Sequence, residues 1–458
     1  MISQNRDLDM CNGPLFSKIL IFALPIMAMN MLQLLFNAAD MVVVGRFSGS
    51  EALGAVGATG SLINLIVNLF MGLSVGTSVI MAQDYGAGKP IEISRSVHTS
   101  ISISIIAGII VMAAGLILCE PLLNIMGTPE DIIHLSVLYM KIYFIGLPAS
   151  MVYNFCAAIL RAIGDSRRPM NFLIISGIVN VMLNLLFVIV LNMSVKGVAW
   201  ATVISQYLSM LLVLNCLYKT DRAIRFTPQK LCIDRQKLKE ILKIGLPAGM
   251  QSMLFSISNV LIQSAVNSFG SVMVAASSAA GNIEGFVGTT MNAYYNAAIT
   301  FTGQNMGAKK YDRIDTIAKI CTILIFATWI ILGGAVLLFG RSLLSLYTSN
   351  PEVIELGFLR MKVMMAAYFT CGTMNVFPGL TRGMGYSILP MLCTLVGACL
   401  MRIVWLATVF TWYPTVVVLF LCYPVSWALA GLGQVGSFFY ARRQIRKHAV
   451  SDAMASDG

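Results

Sequence analysis

Residues 161–170 read RAIGDSRRPM and residues 382–391 read RGMGYSILPM. Arginine, glycine, serine and a Pro-Met pair recur at identical spacing, displaced by 382 − 161 = 221 residues. Working outward, Met140-Lys141 returns as Met361-Lys362, and Gln83-Asp84-Tyr85-Gly86-Ala87 returns as Gln304-Asn305-Met306-Gly307-Ala308. Near the start, Ala23-Leu24-Pro25 pairs with Gly245-Leu246-Pro247, here displaced by 247 − 25 = 222 residues. Several independent matches at a period near 221 make the chain a duplication of a single unit.

The unit is built for a bilayer. Of 458 residues, 57% are hydrophobic and 11% charged, against about 25% charged in soluble domains. The apolar runs extend for about 20 residues, the length a helix needs to cross hydrocarbon, and lack the short alternation of a β-barrel strand. Between turn signals they give twelve spans: 15–39, 52–82, 97–119, 132–158, 170–192, 195–217, 241–266, 272–302, 316–339, 353–379, 387–410 and 413–440. The expected fold is therefore an all-α membrane protein, twelve transmembrane helices in two pseudo-symmetric six-helix bundles. Six spans per half is an even number, so both halves start on one side and the repeat is parallel. The expected domains are an N-terminal segment 1–14, a first lobe 15–217, a charged linker 218–240, a second lobe 241–440 and a basic tail 441–458. No small-residue cleavage site follows the first apolar run, so that helix is read as retained.

Charge sets the orientation. Basic residues in short loops stay cytoplasmic. Of the 31 lysines and arginines, only Arg46, Lys196 and Arg341 fall on the side opposite the N terminus, and Lys141, Arg360, Lys362 and Arg402 lie within spans. Both termini are therefore expected in the cytoplasm, with the chain in the cell membrane. The net charge of +11 reports topology and not a nucleic-acid partner. The cysteines within spans show no paired CxxC spacing and read as small buried apolar residues. His98, His134 and His448 are far apart and form no HExxH, and no GxxxxGK[ST] loop is present, so neither a metal site, an enzyme nor an ATP engine is expected.

A carboxylate kept inside a span needs a reason, because hydrocarbon penalises it by at least about 2.5 kcal/mol. Asp40 lies near the outer end of the first span, and Gln33, Asn37 and Asp40 at i, i+4 and i+7 share one helix face. The stripe points to a cation site; the alternative is an acid solvated at the interface. In the second half the repeat sets Asn259 opposite Asn37 and Ile262 opposite Asp40, so the acid is not duplicated. A different acid, Glu284, stands in the eighth span, with Asn292 and Asn296 on one broad face and Tyr294 and Tyr295 nearby. Glu284, Asn292, Asn296, Tyr294, Asn259 and Gln263, with Gln33, are the candidates for substrate contact; for Glu284 a packed structural acid is the alternative. Pro25 and Pro247 each interrupt the first span of a half and free a carbonyl, which makes them the hinge candidates. Arg161 and Arg382 are expected to fix loops.

These residues resemble the multidrug and toxic compound extrusion (MATE) family of the MOP superfamily, in its bacterial branch. The resemblance rests on Gln33-x3-Asn37-x2-Asp40-x4-Gly45, Ala82-Gln83-Asp84-Tyr85-Gly86-Ala87-Gly88, Arg161-x2-Gly164-Asp165-x3-Pro169 and Gln304-Asn305-x-Gly307-Ala308, and spans nearly the whole chain. It implies two six-helix lobes that alternate between inward- and outward-facing states and exchange H+ or Na+ for small organic compounds, often cationic. It also implies an N-lobe pocket in which Asn154, Asn180, Asn184 and Thr202 surround Asp40. Many relatives carry a second acid where this chain has Asn184, and one sodium-using branch has an acid in the seventh span where Ser252 to Ser256 stand here; both departures lean toward H+. No organic cofactor is implied, and the expected partners are small-molecule substrates and the lipid bilayer, with the protein a monomer. The alternative is a flippase for a lipid-linked intermediate of the same superfamily, which would favour a strongly charged cavity. A channel or membrane enzyme would need a pore ring or a clustered nucleophile, and neither is visible.

Overall fold

A computed structural model describes residues 8–125, 128, 130–220 and 223–456. Of the expected terminal segments, 1–7 (with Arg6) and 457–458 lie outside the described residues, as does the His448 side chain. Twelve helical rods follow one another: α1 (Leu15–Phe47), α2 (Gly49–Gly86), α3 (Pro90–Ile125), α4 (Glu130–Ala162), α5 (Arg167–Val190), α6 (Ser194–Tyr218), α7 (Arg235–Asn267), α8 (Ser271–Gly307), α9 (Tyr311–Ser345), α10 (Pro351–Ala366 continued by Tyr368–Gly383), α11 (Ile388–Trp412) and α12 (Val416–Ser456). No strand occurs among the described residues. Nine of the rods carry a stretch long and apolar enough to cross a membrane. In α7 and α8 serines, asparagines and Glu284 dilute the apolar run, and α10 is broken at Ala367.

The helices overrun the expected spans. Thus α1 continues to Phe47, because Met41 to Val44 keep the apolar, helix-compatible run going, and Asp40 sits inside the helix and not at its end. The linker is shorter than the expected 218–240, since α7 begins at Arg235. Asp234 caps it by accepting from the backbone N–H groups of Gln236 and Lys237 at 2.9 and 3.0 Å, and the Lys237 bond first of all holds its carboxyl below the ordinary aspartate range. Among the described residues, a π-turn at Leu186–Val190 ends α5, and π-turns at Trp329–Gly333 and Leu395–Leu400 interrupt α9 and α11; the hydropathy pattern carries no sign of them.

Packing inverts the soluble pattern. On α3, Ser96, His98, Thr99, Ser100 and Ser104 are buried while Ile109, Ile110 and Ile117 are exposed. Ser96 donates to Asp84 at 2.7 Å and Thr77 to Ser100 at 3.1 Å, so hydroxyls hold helix to helix where lipid offers no partner. His98 accepts the N–H of Thr227 at 3.2 Å and donates from Nδ1 to the Ser94 carbonyl, fastening the linker onto α3.

Contacts divide the chain into two units, one containing Leu24–Gly249 and the other Asp9–Ala23 with Met250 onward. Each division falls beside a proline, Pro25 in α1 and Pro247 in α7. In the first unit α7 crosses α2 backbone against backbone. A Cβ on Gly72 would lie 2.1 Å from the Gly249 nitrogen, and one on Gly76 2.3 Å from the Ile241 carbonyl oxygen. Gly72-x3-Gly76 on α2 thus meets Gly245-x3-Gly249 on α7, the small-residue spacing that lets membrane helices approach closely. In the second unit the segment before α1 docks on the end of α8 and the start of α9. Asn305 donates to the Met10 carbonyl at 3.1 Å, and Lys310 and Arg313 bond the carbonyls of Cys11 and Gly13 at 3.0 Å each.

The backbone repeats as the sequence does. Gly49 and Gly270 have φ of 89° and 90°, Gly88 and Lys309 have 64° and 57°, and Gly164 and Gly385 have 97° and 94°. Each pair is separated by the 221-residue period. Left-handed residues cost about 1–2 kcal/mol when they carry a Cβ. Gly385→Val is expected to lower the unfolding free energy in detergent by about that amount. Gly436→Ala, where nothing stands within 4 Å, is expected to leave the thermal midpoint unchanged.

Candidate functional site

In the first unit, α1, α5 and α6 line a polar pocket of about 130 Å³. Gln33, Asn37 and Asp40 come from α1, Ser176 and Asn180 from α5, and Thr202, Ser205 and Gln206 from α6. Their spacing explains the meeting: Asn180 and Asn184 are one turn apart on α5, and Thr202, Gln206 and Ser209 are successive near-turns on α6. The α1 stripe faces both. Gly177 is needed here, since a Cβ would fall 1.9 Å from the Phe36 ring; with no side chain at 177, Phe36 folds down and leaves the polar edge of α1 open.

Asp40 is half-buried and accepts a hydrogen bond from Nδ2 of Asn184. The same Nδ2 lies 3.3 Å from Oδ1 of Asn180, while Oδ1 of Asn184 is buried without a partner. Among the pocket's lining residues Asp40 is the acid, and no cation pairs with it. Its partner Asn184 is a neutral amide able either to donate or to accept.

Of the residues expected around Asp40, Asn180 and Thr202 line the pocket with it and Asn184 bonds it directly. Asn154 does not join them in the pocket lining; its amide donates to the Ser150 carbonyl at 2.8 Å, one turn back along α4. Sequence reasoning missed Ser205, Gln206 and Ser209, which a strict reading of the α6 face from Thr202 would have found.

The candidates of the second half are not gathered into one site. Glu284 is no isolated acid: it is buried and takes a two-pronged bond from Arg360, Nε to Oε1 at 3.2 Å and Nη2 to Oε2 at 3.0 Å. Arg360 also donates to Ser277 and lies over the rings of Phe420 and Tyr423. Tyr294 turns away to Thr328 on α9 at 3.0 Å. Asn296 bonds back to the Asn292 carbonyl at 2.9 Å, and Gln263 bonds Asn267 at 3.0 Å on an exposed face. Asn259 accepts at 2.7 Å from Arg402, which is fully buried between Phe255 and Tyr423 and is also held by Ser426. Ile262, opposite Asp40 at the 222-residue offset that pairs Pro25 with Pro247, and Trp405, opposite Asn184 at 221, belong to one apolar cluster. The polar pocket around Asp40 is built by first-half helices, and the residues opposite Asp40 and Asn184 pack apolar.

The two repeat arginines differ. Arg382 bridges Tyr295 and Gln251 at 2.6 Å each and reaches Ser387 at 3.3 Å, fixing the loop before α11 as expected. Arg161 keeps a buried Nε without a partner.

The MatE family model matches twice, at residues 25–186 and 247–408. The probable multidrug resistance protein YoeA of Bacillus subtilis (strain 168) is 28% identical over 385 residues, covering 81% of this chain and 81% of its own. YpnP of the same organism is 28% identical over 408 residues, with 88% and 90% covered. The multidrug export protein MepA of Staphylococcus aureus (strain NCTC 8325 / PS 47) is 22% identical over 378 residues, with 81% and 82% covered. Among solved structures, a MOP superfamily transporter from Pyrococcus furiosus superposes with a TM-score of 0.88 at 22% identity, covering 97% of this chain and 99% of that one. The fold is shared with that structure.

Removing one partner of a buried ion pair strands the other charge, at about 3–5 kcal/mol. Glu284→Gln is expected to lower unfolding free energy by about that much. Pairing it with Arg360→Met is expected to restore most of the loss, as read by thermal unfolding in detergent; a double variant no better than the single one would remove the pair from the account.

Proposed function

The chain belongs to the MatE family, whose members are multidrug efflux transporters of the membrane and not enzymes, and from that premise we propose a secondary antiporter. It exports small organic compounds, often cationic, in exchange for a cation that binds at Asp40. The observation that carries this reading is the half-buried Asp40 in a pocket of neutral amides and hydroxyls, with no basic partner to satisfy it. A carboxylate so placed needs a cation, and a proton or an exchangeable ion supplies one.

The proton is the better fit. A sodium cage gains from several carboxylates, whereas here Asn184 stands beside a single acid. The amide serves both protonation states: Nδ2 donates to the carboxylate, and after an amide flip Oδ1 accepts from the acid. Sodium is the second ion to test. Exchange further requires that cation and drug favour different conformations, because a ligand shifts an equilibrium only by its differential affinity. Pro25 and Pro247, beside which the contact units divide, are the proposed hinges. The flippase reading draws on one feature, the buried cation Arg402 with no acid bonded to it among the described residues; the small polar pocket at Asp40 favours the antiporter. Both termini are assigned to the cytoplasm and the protein to a monomer.

Asp40→Asn keeps size and hydrogen bonding but cannot titrate. The variant is expected to reach the membrane and still bind dye, yet to lose gradient-driven export in everted vesicles; export at the wild-type rate with matched expression would remove Asp40 from the coupling. Separate imposition of pH and Na+ gradients on proteoliposomes is expected to drive transport with the former alone. For topology, Gln229→Cys is expected to react with an impermeant maleimide only after the cells are opened, and labelling of intact cells would reverse the orientation.

A further inference from the structure

A second cavity lies away from the Asp40 pocket, in the second unit, with a volume of about 640 Å³. Two helix faces form its walls. From α9 come Asp315, Lys319, Thr322 and Ile323, and from α12 Val435, Phe438, Phe439, Arg442 and Arg446; the buried Phe377 of α10 closes its floor. On both helices the residues recur every three to four positions, so each wall is a single stripe.

The two ends of the cavity differ. Because α9 starts and α12 ends at the same side, the charged residues gather at one mouth, while Ile323, Val435, Phe438 and Phe377 line the deeper part. At the mouth, Arg442 is buried and clamps Asp315 through two bonds of 2.8 and 2.9 Å. Arg446 reaches the same carboxylate at 2.9 Å while remaining 62% exposed in its side chain. Arg443 and Lys447 extend the basic rim, and Lys319 is exposed across from them. Asp315 and the exposed Asp312 are the acids facing this rim. Lys319, Arg442, Arg443, Arg446 and Lys447 outnumber them; Asp315 is shared by Arg442 and Arg446, and the exposed Arg446 side chain keeps further N–H donors for a head group.

We propose that this cavity is a site for an anionic phospholipid of the inner leaflet, one acyl chain between α9 and α12 and the phosphate on Arg446, Arg443 and Lys319. A basic mouth continuous with an apolar slot matches an amphiphile with a negative head, and basic pockets between helices at the cytoplasmic face hold such head groups. Phe439, 64% exposed, stands at the boundary where an aromatic ring packs beside glycerol. The leaflet rests on the cytoplasmic placement of both termini; the lipid chemistry does not, and it is independent of the reaction at Asp40.

The test uses the full chain in detergent, read by native mass spectrometry and by thermal shift. Phosphatidylglycerol, phosphatidylcholine of equal chain length and inorganic phosphate are the three probes. Wild type is expected to retain phosphatidylglycerol, in preference to phosphatidylcholine, and to be stabilised by it. Combining Lys319→Gln, Arg443→Gln and Arg446→Gln is expected to weaken that binding by about a hundredfold. Because Arg442 and Asp315 stay intact, the lipid-free midpoint is expected to hold. Should that variant fail to fold, Ile323→Trp fills the slot without changing charge and is expected to weaken phosphatidylglycerol in the same assay. Equal retention of both lipids, unchanged binding in the variants, or equal stabilisation by inorganic phosphate would each overturn the proposal.

Discussion

A backbone polar group that enters hydrocarbon must find its partner within the chain, and a charge there is costly without one; the arrangement of this protein follows from that constraint. Helices satisfy the backbone. The side chains are satisfied one by one: Lys237, nearly buried, takes Asp84 at 2.8 Å, Glu92 at 3.2 Å and Glu240 at 3.3 Å, and Arg360 takes Glu284 at 3.0 Å. Arg402 has no acid bonded to it and is held by Ser258, Asn259 and Ser426 between two aromatic rings, which fits the weak hydration of a guanidinium. Asp40 is left with the Asn184 amide. The functional reading begins where the internal matching of charge stops.

The duplication preserves backbone and discards chemistry. Left-handed residues recur in both halves at the same three places, because a turn between helices depends on local φ and ψ and tolerates little else. Side chains within the bundles were free to diverge. Asp84, which anchors Lys237, becomes Asn305, which holds the Met10 carbonyl, so both junctions fasten the segment leading into a proline-containing helix, one by charge and one by an amide. The Asp40 and Asn184 pair becomes Ile262 and Trp405 in an apolar cluster. One half carries an acid in a polar pocket and the other a matched ion pair, and the proposal that coupling belongs to the first half rests on that asymmetry.

Much of this was legible in the sequence where the signal is local or periodic. The twelve spans, the repeat and the stripe Gln33, Asn37 and Asp40 all rest on helical period and on long apolar runs, and the rods appear in the expected order. Asn180 and Asn184 belonged with Asp40 through resemblance; Asn180 lines the pocket with it and Asn184 bonds it. What sequence does not encode locally was lost. Arg360 and Glu284 lie 76 residues apart, and nothing in either span announces the other, so Glu284 read as an unpaired acid. Lys237 sat in a charged stretch that reads as solvated linker, yet three carboxylates enclose it. The glycine crossing of α2 and α7 was written as two Gly-x3-Gly spacings, visible only once Gly72, Gly76, Gly245 and Gly249 are set against each other.

The central claim is that one carboxylate, Asp40, carries the exchanged cation and gives it up when substrate binds. Proton release on adding a cationic substrate to the purified protein in weakly buffered detergent reads that event without a membrane or a gradient. Wild type is predicted to release protons in proportion to the sites filled, and Asp40→Asn to bind the same substrate with no release. Undiminished proton release from Asp40→Asn would contradict the account and place the exchanged cation elsewhere in the chain.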